Sequence, residues 1–238
     1  MVAAKVCLLV CATAAQAYSL TPPNATPDPK ELEPAGPKLL PFPWKFVTKG
    51  ILCSLALAEI SVAIATAHES AISKPITSLL VRTHPLPDFD LTASTPALIS
   101  GCCMSFIGAA LRFQSFRTLG RFFTFELSIR QDHKLVTSGI YSIVRHPGYT
   151  GAWGFCLGIM LCHLHPRSWL VSCSGLFPPS GQAVKWSLAC SWAALSTILY
   201  TALEGRIRRE EVMLEKHFGE ERRRYRKKVP YKLVPWLY

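Results

Sequence analysis

The stretch VTKGILCSLALAEISVAIATA, residues Val47–Ala67, is long and apolar enough to cross a lipid bilayer as a single helix. About 20 such residues span the hydrocarbon core. Lys49 lies near one end of the stretch, and Glu59 is the only charge in its interior. The stretch therefore predicts a membrane-spanning helix, and the rest of the chain can be tested against that class.

The remaining sequence supports a membrane protein. Half of the 238 residues are apolar and only 17% are charged, which is too apolar for an ordinary soluble domain of this size. The chain carries no strand-like alternation of useful length. We predict an all-α, polytopic fold with about five transmembrane helices. The four other apolar runs are Val6–Leu20, Pro96–Leu111, Gly148–Leu164 and Ala183–Leu203.

The first apolar run has two possible interpretations. Its length and the triplet Ala15-Gln16-Ala17 fit a cleaved signal peptide, but its apolarity also fits a short span. The basic segments Arg112–Lys134 and Arg206–Lys232 each follow an apolar run, and the positive-inside rule places both in the cytosol. A cleaved signal would leave the first of them in the lumen. The charge pattern therefore favours a retained first helix.

The same charge pattern bears on possible partners. The net charge of +11 could indicate nucleic acid, but the basic residues flank apolar runs instead of covering a soluble face. We therefore expect membrane lipids as partners and no nucleic acid. His163 and His165 form an HxH pair without a neighbouring carboxylate or cysteine in a ligand-like pattern, so we expect no metal.

The chain divides into four predicted regions. Residues 1–20 form the first apolar helix, and residues 21–43 form a proline-rich linker that should have no core and little functional content. Residues 44–118 carry transmembrane helices. Residues 119–238 form a core with two further spans and a basic tail. The connections 68–94 and 166–181 are polar loops broken by proline, and both should face the lumen.

The stretch Phe122–Gly151, FFTFELSIRQDHKLVTSGIYSIVRHPGYTG, contains the most informative motifs. A polar segment between two spans needs partners for its backbone groups, so it should line a cavity or bind a ligand. In order and spacing, the segment and the tail Arg206–Pro230 resemble the isoprenylcysteine carboxyl methyltransferase family. The motifs that carry the resemblance are His133–Val136, Thr137-Ser138-Gly139, Tyr141, Arg145–Tyr149, Glu210-Glu211, Phe218-Gly219-Glu220, Tyr225 and Val229-Pro230.

The resemblance covers about residues 115–238 and implies a function. It implies an S-adenosyl-L-methionine-dependent enzyme of the endoplasmic reticulum membrane, with its cofactor pocket and C-terminus in the cytosol. The implied substrate is the carboxylate of a C-terminal prenylated (farnesyl or geranylgeranyl) cysteine in proteins processed at a CaaX sequence. The residues that would contact the cofactor are His133, Lys134, Leu135, Val136, Tyr141, His146, Pro147, Gly148, Tyr149 and Glu210.

Arg206 is the candidate catalytic and substrate-binding residue. It lies four residues before Glu210, so the two side chains share one face of a helix. An α-carboxyl group has a pKa of about 3.5 and is ionised at neutral pH, so it needs a cation to position it and no general base. A guanidinium provides such a cation and can bind a carboxylate with two parallel hydrogen bonds.

Several alternatives stay open from sequence. Glu210 and Glu211 could instead be a solvated acidic pair that forms ion pairs with nearby arginines at helical spacing. Lys228 stands where the family tends to have an arginine, and lysine keeps the charge but loses the fork geometry that would orient a substrate carboxylate. Arg224, Arg226 and Lys227 could replace it, or the basic run could lie on anionic lipid headgroups. The whole protein could also methylate a phospholipid or other small-lipid amine, or serve as a non-catalytic membrane scaffold.

Overall fold

The computed structural model describes residues 2–32, 44–68, 70–83, 90–179 and 181–237. Within these ranges the chain is helical, with one isolated bridge between Leu32 and Ser128 as its only β pairing. The helices are α1 (Val2–Ser19), α2 (Trp44–Ala67), α3 (Ser73–Leu80), α4 (Pro96–Leu119), α5 (Pro147–His163), α6 (Trp169–Ser172), α7 (Gly181–Phe218) and α8 (Glu220–Lys228).

The prediction of an all-α, polytopic membrane fold is confirmed. Four helical stretches are long and apolar enough to cross a membrane, and they correspond to α1, α2, α4 with its short extension to Phe122, and α7. Helix α5 has 17 residues, which is about 26 Å at 1.5 Å per residue. Because this is slightly less than a typical hydrocarbon thickness, a fifth span formed by α5 remains a prediction.

Helices α4 and α5 are in backbone contact. A methyl group added to Gly151 would lie 2.5 Å from the carbonyl oxygen of Gly108, and one added to Gly108 would lie 2.5 Å from the nitrogen of Phe155. Gly101 and Gly158 approach the opposite helix about as closely, further toward the other end of the pair. In a bilayer, small residues stabilise such helix pairs because they let the backbones come together.

A buried ionic cluster joins α1, α2 and α5 at the other end of this pair from Gly151. Lys5 Nζ lies 2.9 Å from Glu59 Oε1 and donates a hydrogen bond of 2.8 Å to the carbonyl of Leu91. His163 Nδ1 lies 3.5 Å from Glu59 Oε2. The side chains of Lys5 and Glu59 are only 2% and 1% exposed. Helix α1 therefore supplies the countercharge of an acid buried in α2.

Two expected loops contain helices. The connection 68–94 includes α3, and the connection 166–181 includes the single turn α6. Proline breaks a helix in its interior but is tolerated in the first turn. Pro75 lies in the first turn of α3. The side chain of Ser168 caps α6 by accepting a hydrogen bond from the nitrogen of Val171. Proline and polar residues in these connections thus initiate short helices instead of excluding them.

The proline-rich segment after α1 is more involved than its composition indicates. The amide of Asn24 donates hydrogen bonds of 2.8 Å to the carbonyls of Gly120 and Phe123. Glu31 accepts a hydrogen bond of 3.1 Å from the backbone nitrogen of Gln131. The rest of the predicted linker, residues 33–43, lies outside the described residues. The described part has no core of its own but packs along the segment after α4.

We expect Lys5→Met to destabilise the protein by about 3–5 kcal/mol, because it leaves the Glu59 carboxylate buried without its countercharge. Adding Glu59→Gln in the same chain should recover most of the loss. Thermal unfolding in detergent measures both. The matched control is Lys74→Met in α3, where the lysine is exposed. Equal losses in the single and double variants would contradict the pairing.

We expect Gly151→Ala to lower the unfolding temperature, because the new methyl group would meet the Gly108 carbonyl at 2.5 Å and neither backbone can yield cheaply. Gly50→Ala is the control, since a methyl group there meets nothing within 4 Å. That change should be neutral or stabilising by about 0.5–1 kcal/mol through helix propensity. Equal effects at the two glycines would refute a close α4–α5 contact.

Candidate functional site

The polar centre of the molecule lies where α5 begins and α7 leaves its apolar run. His146 and Pro147 open α5, with proline in the first turn, where its missing N–H costs nothing. Glu210 and Glu211 lie on α7, beyond the apolar residues 183–203. Helix α7 continues to Phe218, where Gly219 at φ 48° turns the chain into α8.

Glu211 connects three separate segments. Its Oε1 atom accepts a hydrogen bond of 2.9 Å from Arg145 Nε and lies 3.1 Å from His146 Nε2. A nitrogen of Arg222 in α8 lies 3.4 Å from the same oxygen. Arg145, His146 and Arg222 are all buried. Charge-assisted hydrogen bonds of this kind are about twice as strong as neutral ones, so Glu211 ties the start of α5 and α8 to α7.

The run before α5 also anchors the tail after α8. Arg145 donates a hydrogen bond of 2.9 Å from its side chain to the carbonyl of Val229 and another to the carbonyl of Pro230. The backbone nitrogens of Arg145 and His146 donate to the carbonyls of Tyr231 and Lys232, each at 2.9 Å. The two halves of the sequence pattern are therefore joined by backbone and side-chain bonds.

Glu210, Tyr149 and Arg206 form a second chain of contacts beside Glu211. The Tyr149 hydroxyl donates a hydrogen bond of 2.6 Å to Glu210 Oε2 and accepts one of 2.7 Å from Arg206 Nε. Arg206 also donates to the carbonyl of Phe125. The second carboxylate oxygen, Glu210 Oε1, lies 3.4 Å from His146 Nδ1. Because Arg206 and Glu210 are one helical turn apart, α7 presents both to Tyr149.

The His146 ring lies between the two carboxylates. Burial would lower its pKa, but the hydrogen bonds and charges of Glu210 and Glu211 outweigh burial and raise the pKa above its ordinary value. The charged imidazolium is therefore favoured at a place where a lone histidine would be neutral. A positive ring offsets one of the two negative charges, and Arg145, Arg206 and Arg222 supply further positive charge.

His133 has a different environment. Its ring stacks on Phe122 at 4.7 Å between centroids and meets the edge of Phe218 at 5.7 Å. Burial, with help from the nearby His217, lowers its pKa. The neutral ring and the two phenyl groups form an apolar, aromatic surface. Glu210 acts electrostatically on this histidine, which places the surface near the polar network.

The other residues indicated by the resemblance lie around these contacts. Lys134 is exposed, whereas Leu135 and Val136 are half-buried. Tyr141 is buried, and its carbonyl accepts a hydrogen bond of 2.6 Å from the hydroxyl of Tyr225. Gly148 offers its carbonyl to Arg112 at 3.1 Å. The structure thus brings His146, Tyr149, Arg206 and Glu210 into direct contact, and it connects Tyr141 and Gly148 to the surrounding scaffold.

Some residues that complete the network were not among the sequence candidates. Arg145 and Arg222 both bind Glu211, and Arg112 is a buried cation where the sequence suggests a basic flank. Arg112 lies 5.2 Å from the ring centroids of Phe116 and Phe125. A signal for Arg222 was present in its spacing, since it and Tyr225 are three residues apart and share one face of a short helix.

Glu210 and Glu211 are not a solvated acidic pair that answers exposed arginines. Arg208 instead bonds Glu204 at 2.7 Å, and Arg209 bonds the carbonyl of Gly205. The carboxylates of Glu210 and Glu211 point inward, with side chains 25% and 17% exposed. The alternative interpretation from sequence is therefore wrong for these two residues.

An apolar cleft of about 320 Å³ separates α5 from α7. It is lined by Trp153 and Leu157 from α5 and by Ser196, Thr197, Leu199 and Tyr200 from α7. Trp153 is one turn beyond Tyr149 on α5, and Leu199 lies about two turns before Arg206 on α7. The cleft therefore follows the same helix faces that carry the polar contacts.

The fold and this network define the class, a polytopic helical membrane protein with a cluster of ionisable groups at one end of its helices. Residues 101–177 match the Isoprenylcysteine carboxyl methyltransferase (ICMT) family. This match, over about a third of the chain, confirms the resemblance seen in the sequence. The matched range includes His133–Tyr149 and ends before Arg206 and Glu210.

Similar proteins come from plants and yeast. The chain is 31% identical over 133 residues to a probable protein-S-isoprenylcysteine O-methyltransferase of Oryza sativa subsp. indica. The aligned residues are 54% of this chain and 56% of the relative. Protein-S-isoprenylcysteine O-methyltransferase B of Arabidopsis thaliana is 31% identical over 134 residues, or 55% of each. The Saccharomyces cerevisiae protein-S-isoprenylcysteine O-methyltransferase is 26% identical over 168 residues, or 68% of this chain and 61% of the relative. The chain thus spans little more than half the length of these relatives.

We expect the stability contributed by His146 to fall at high pH. Because the folded-state pKa is raised, the contribution is fully present below the ordinary histidine pKa of about 6.5 and is lost as the pH rises through the raised value. The difference in unfolding temperature between the wild type and His146→Gln, measured across pH, should become smaller as the pH rises. The control is exposed His68→Gln, which should show no such trend. A difference that grows with pH would contradict a charged His146.

Proposed function

We propose that this protein transfers a methyl group from S-adenosyl-L-methionine to the carboxylate of a C-terminal prenylated cysteine. The observation that carries the proposal is the contact chain Arg206–Tyr149–Glu210. In it a cation and a carboxylate both bond the same phenol hydroxyl, at the end of an apolar cleft. The family domain and the printed names of the relatives support the same chemistry.

The residues present suit the cofactor. S-adenosyl-L-methionine carries a positive sulfonium whose methyl group is the group transferred. Glu210 offers a partly exposed carboxylate that favours positive charge and accepts hydrogen bonds from amino or hydroxyl groups. The neutral His133 ring and its phenyl neighbours offer a flat surface for a heterocycle. We propose that His133–Val136, Tyr141 and His146–Tyr149 surround the cofactor with Glu210.

Arg206 is suited to hold the substrate carboxylate. Its Nε atom is fixed by the Tyr149 hydroxyl and one terminal nitrogen by the Phe125 carbonyl. The guanidinium also lies 5.9 Å from the Tyr149 ring centroid. Within the described residues no hydrogen bond engages the other terminal nitrogen, so it can donate to a carboxylate. Fixing one nucleophilic oxygen beside the methyl group lowers the barrier through alignment, without proton transfer.

The α5–α7 cleft is suited to the lipid part of such a substrate. A prenyl chain that remains in an apolar environment keeps roughly 0.8 kcal/mol per buried CH₂ group. Trp153, Leu157 and Leu199 provide that environment directly beneath Tyr149 and Arg206. We propose that the chain enters sideways from the bilayer, so that only the cysteine carboxylate reaches the polar network.

Amine methylation of a phospholipid or small lipid fits the contacts less well. It requires a free base to take a proton from the ammonium group. Glu210 and Glu211 are both engaged by cations or by the Tyr149 hydroxyl, which stabilises their charged forms and makes them weak bases. A non-catalytic scaffold has no evident use for the Arg206–Tyr149–Glu210 chain.

We also propose where the site lies. The positive-inside rule favours the cytosolic side, and the resemblance to the family implies the endoplasmic reticulum membrane.

The proposal is tested by transfer of radiolabelled methyl from S-adenosyl-L-methionine to N-acetyl farnesylcysteine in membranes that contain the full chain. We expect base-labile label with the wild type, and a loss of about 10²-fold or more in Arg206→Ala and Glu210→Ala, because each removes a positioning contact. Tyr149→Phe should reduce transfer less, since it keeps the ring but frees both neighbours.

The matched control is Arg209→Ala, which removes an exposed arginine from the same helix. It should transfer methyl groups at the wild-type rate. Absence of label with a correctly folded wild type would refute the carboxyl methyltransferase assignment. Binding of the cofactor without transfer to this substrate, but with transfer to a lipid amine, would support the amine alternative.

A further inference from the structure

The C-terminal segment, defined as α8 and residues 229–237, presents an unused basic surface. In α8, Arg222 and Tyr225 face inward and are buried, and they reach Glu211 and the Tyr141 carbonyl. The opposite side carries five exposed cations. They are Arg223, Arg224, Arg226, Lys227 and Lys228.

These five cations divide into two groups. Arg223 pairs with Glu220 and Glu215, and Arg226 lies 3.3 Å from Glu215. In the part of the chain that the structure describes, no carboxylate pairs with the remaining three. Arg224, Lys227 and Lys228 are spaced by three and four residues, so they form one stripe along the helix. They also make no described hydrogen bond to the polar network around Glu210.

Contacts after α8 fix the height of this segment relative to the bilayer. The carbonyl of Leu233 accepts a hydrogen bond of 2.7 Å from Thr150, in the first turn of α5. Lys232 Nζ lies 3.5 Å from Glu204, the first charged residue after the apolar run of α7. Residues 232 and 233 are therefore level with the point where α5 and α7 enter the hydrocarbon.

Two large apolar side chains follow at this level. Trp236 is 86% exposed and Leu237 is 81% exposed. Tryptophan is enriched at the boundary between headgroups and hydrocarbon, where its ring is partly apolar and partly hydrogen-bonded. An exposed Trp-Leu pair that follows a cationic stripe is the combination that binds an anionic membrane surface.

We propose that the C-terminal segment docks on the anionic leaflet of the bilayer, with Trp236 and Leu237 in the interface and Arg224, Lys227 and Lys228 on acidic lipid headgroups. The buried face of the same helix bonds Glu211 and the Tyr141 carbonyl, so the docked segment also contacts the polar network. The partner is a lipid surface of negative charge, since the stripe is cationic and the residues that follow it, 232 and 233, lie at membrane height.

The test follows amide hydrogen exchange in residues 223–237 of the full chain, reconstituted in nanodiscs of phosphatidylcholine alone or mixed with phosphatidylserine. We expect phosphatidylserine to slow exchange several-fold, and added salt to reverse the effect. Each of Arg224→Glu and Lys227→Glu should remove most of this protection, because one basic residue near an anionic surface contributes about fivefold. Trp236→Ser should weaken protection without changing its salt dependence.

The matched control is Lys74→Glu, an exposed lysine of α3 at the end of the helices opposite to the polar network. A charge there lies across the bilayer from the C-terminal segment, so protection by phosphatidylserine should be unchanged. Protection that is independent of phosphatidylserine, or lost equally in Lys74→Glu, would overturn the proposal. Protection by soluble polyglutamate in neutral discs, but not by phosphatidylserine, would assign the surface to an acidic protein instead. No readout here depends on methyl transfer.

Discussion

Helix α7 is held to the rest of the protein mainly by polar contacts at one end. Of its 38 residues, the buried ones are Leu188, Glu204, Ile207 and Met213, and three of these four lie beyond the apolar run. Along the apolar run, α7 meets the end of α5 through a hydrogen bond of 2.8 Å from Trp192 Nε1 to the carbonyl of Leu164, and the apolar cleft lies between the two helices. The bonds made by Glu210 and Glu211 add several charged contacts at the other end. A site built from both helices therefore depends strongly on those bonds.

This arrangement explains why so many charges are buried together. An isolated buried carboxylate or guanidinium would cost several kcal/mol, but here Arg145, His146 and Arg222 all face Glu211. The pKa of His146 is raised because the ring lies between two acids, and Arg145 also donates to carbonyl oxygens. The network is fixed before any ligand binds, so little reorganisation is needed when a charged substrate and cofactor meet. The rigid α4–α5 pair supplies the base on which the first turn of α5 is held.

The sequence predicted the class of fold well because length and apolarity determine which segments can cross a bilayer. Motif order and helical spacing indicated Tyr149, Arg206 and Glu210, whose side chains are in contact in the structure, while their roles stay predictions. It could not show that Arg112 is buried among aromatic rings, since a basic residue at the end of an apolar run ordinarily lies at the membrane surface. It also gave no indication that Asn24 would bond the backbone after α4, because a contact across about 100 residues leaves no local pattern. Long-range partners of this kind are set by the packing of helices, which composition does not encode.

The Lys5–Glu59 pair has a consequence for how the chain is made. A helix with a lone glutamate near its centre is poorly accepted by hydrocarbon, and so is one with a lone lysine. When α1 and α2 lie antiparallel, the two charges meet at 2.9 Å and partition together as a nearly neutral unit. The first two helices are thus suited to enter the bilayer as a hairpin. An ion pair at the end of the helices opposite to the polar network thus favours insertion of the two helices together.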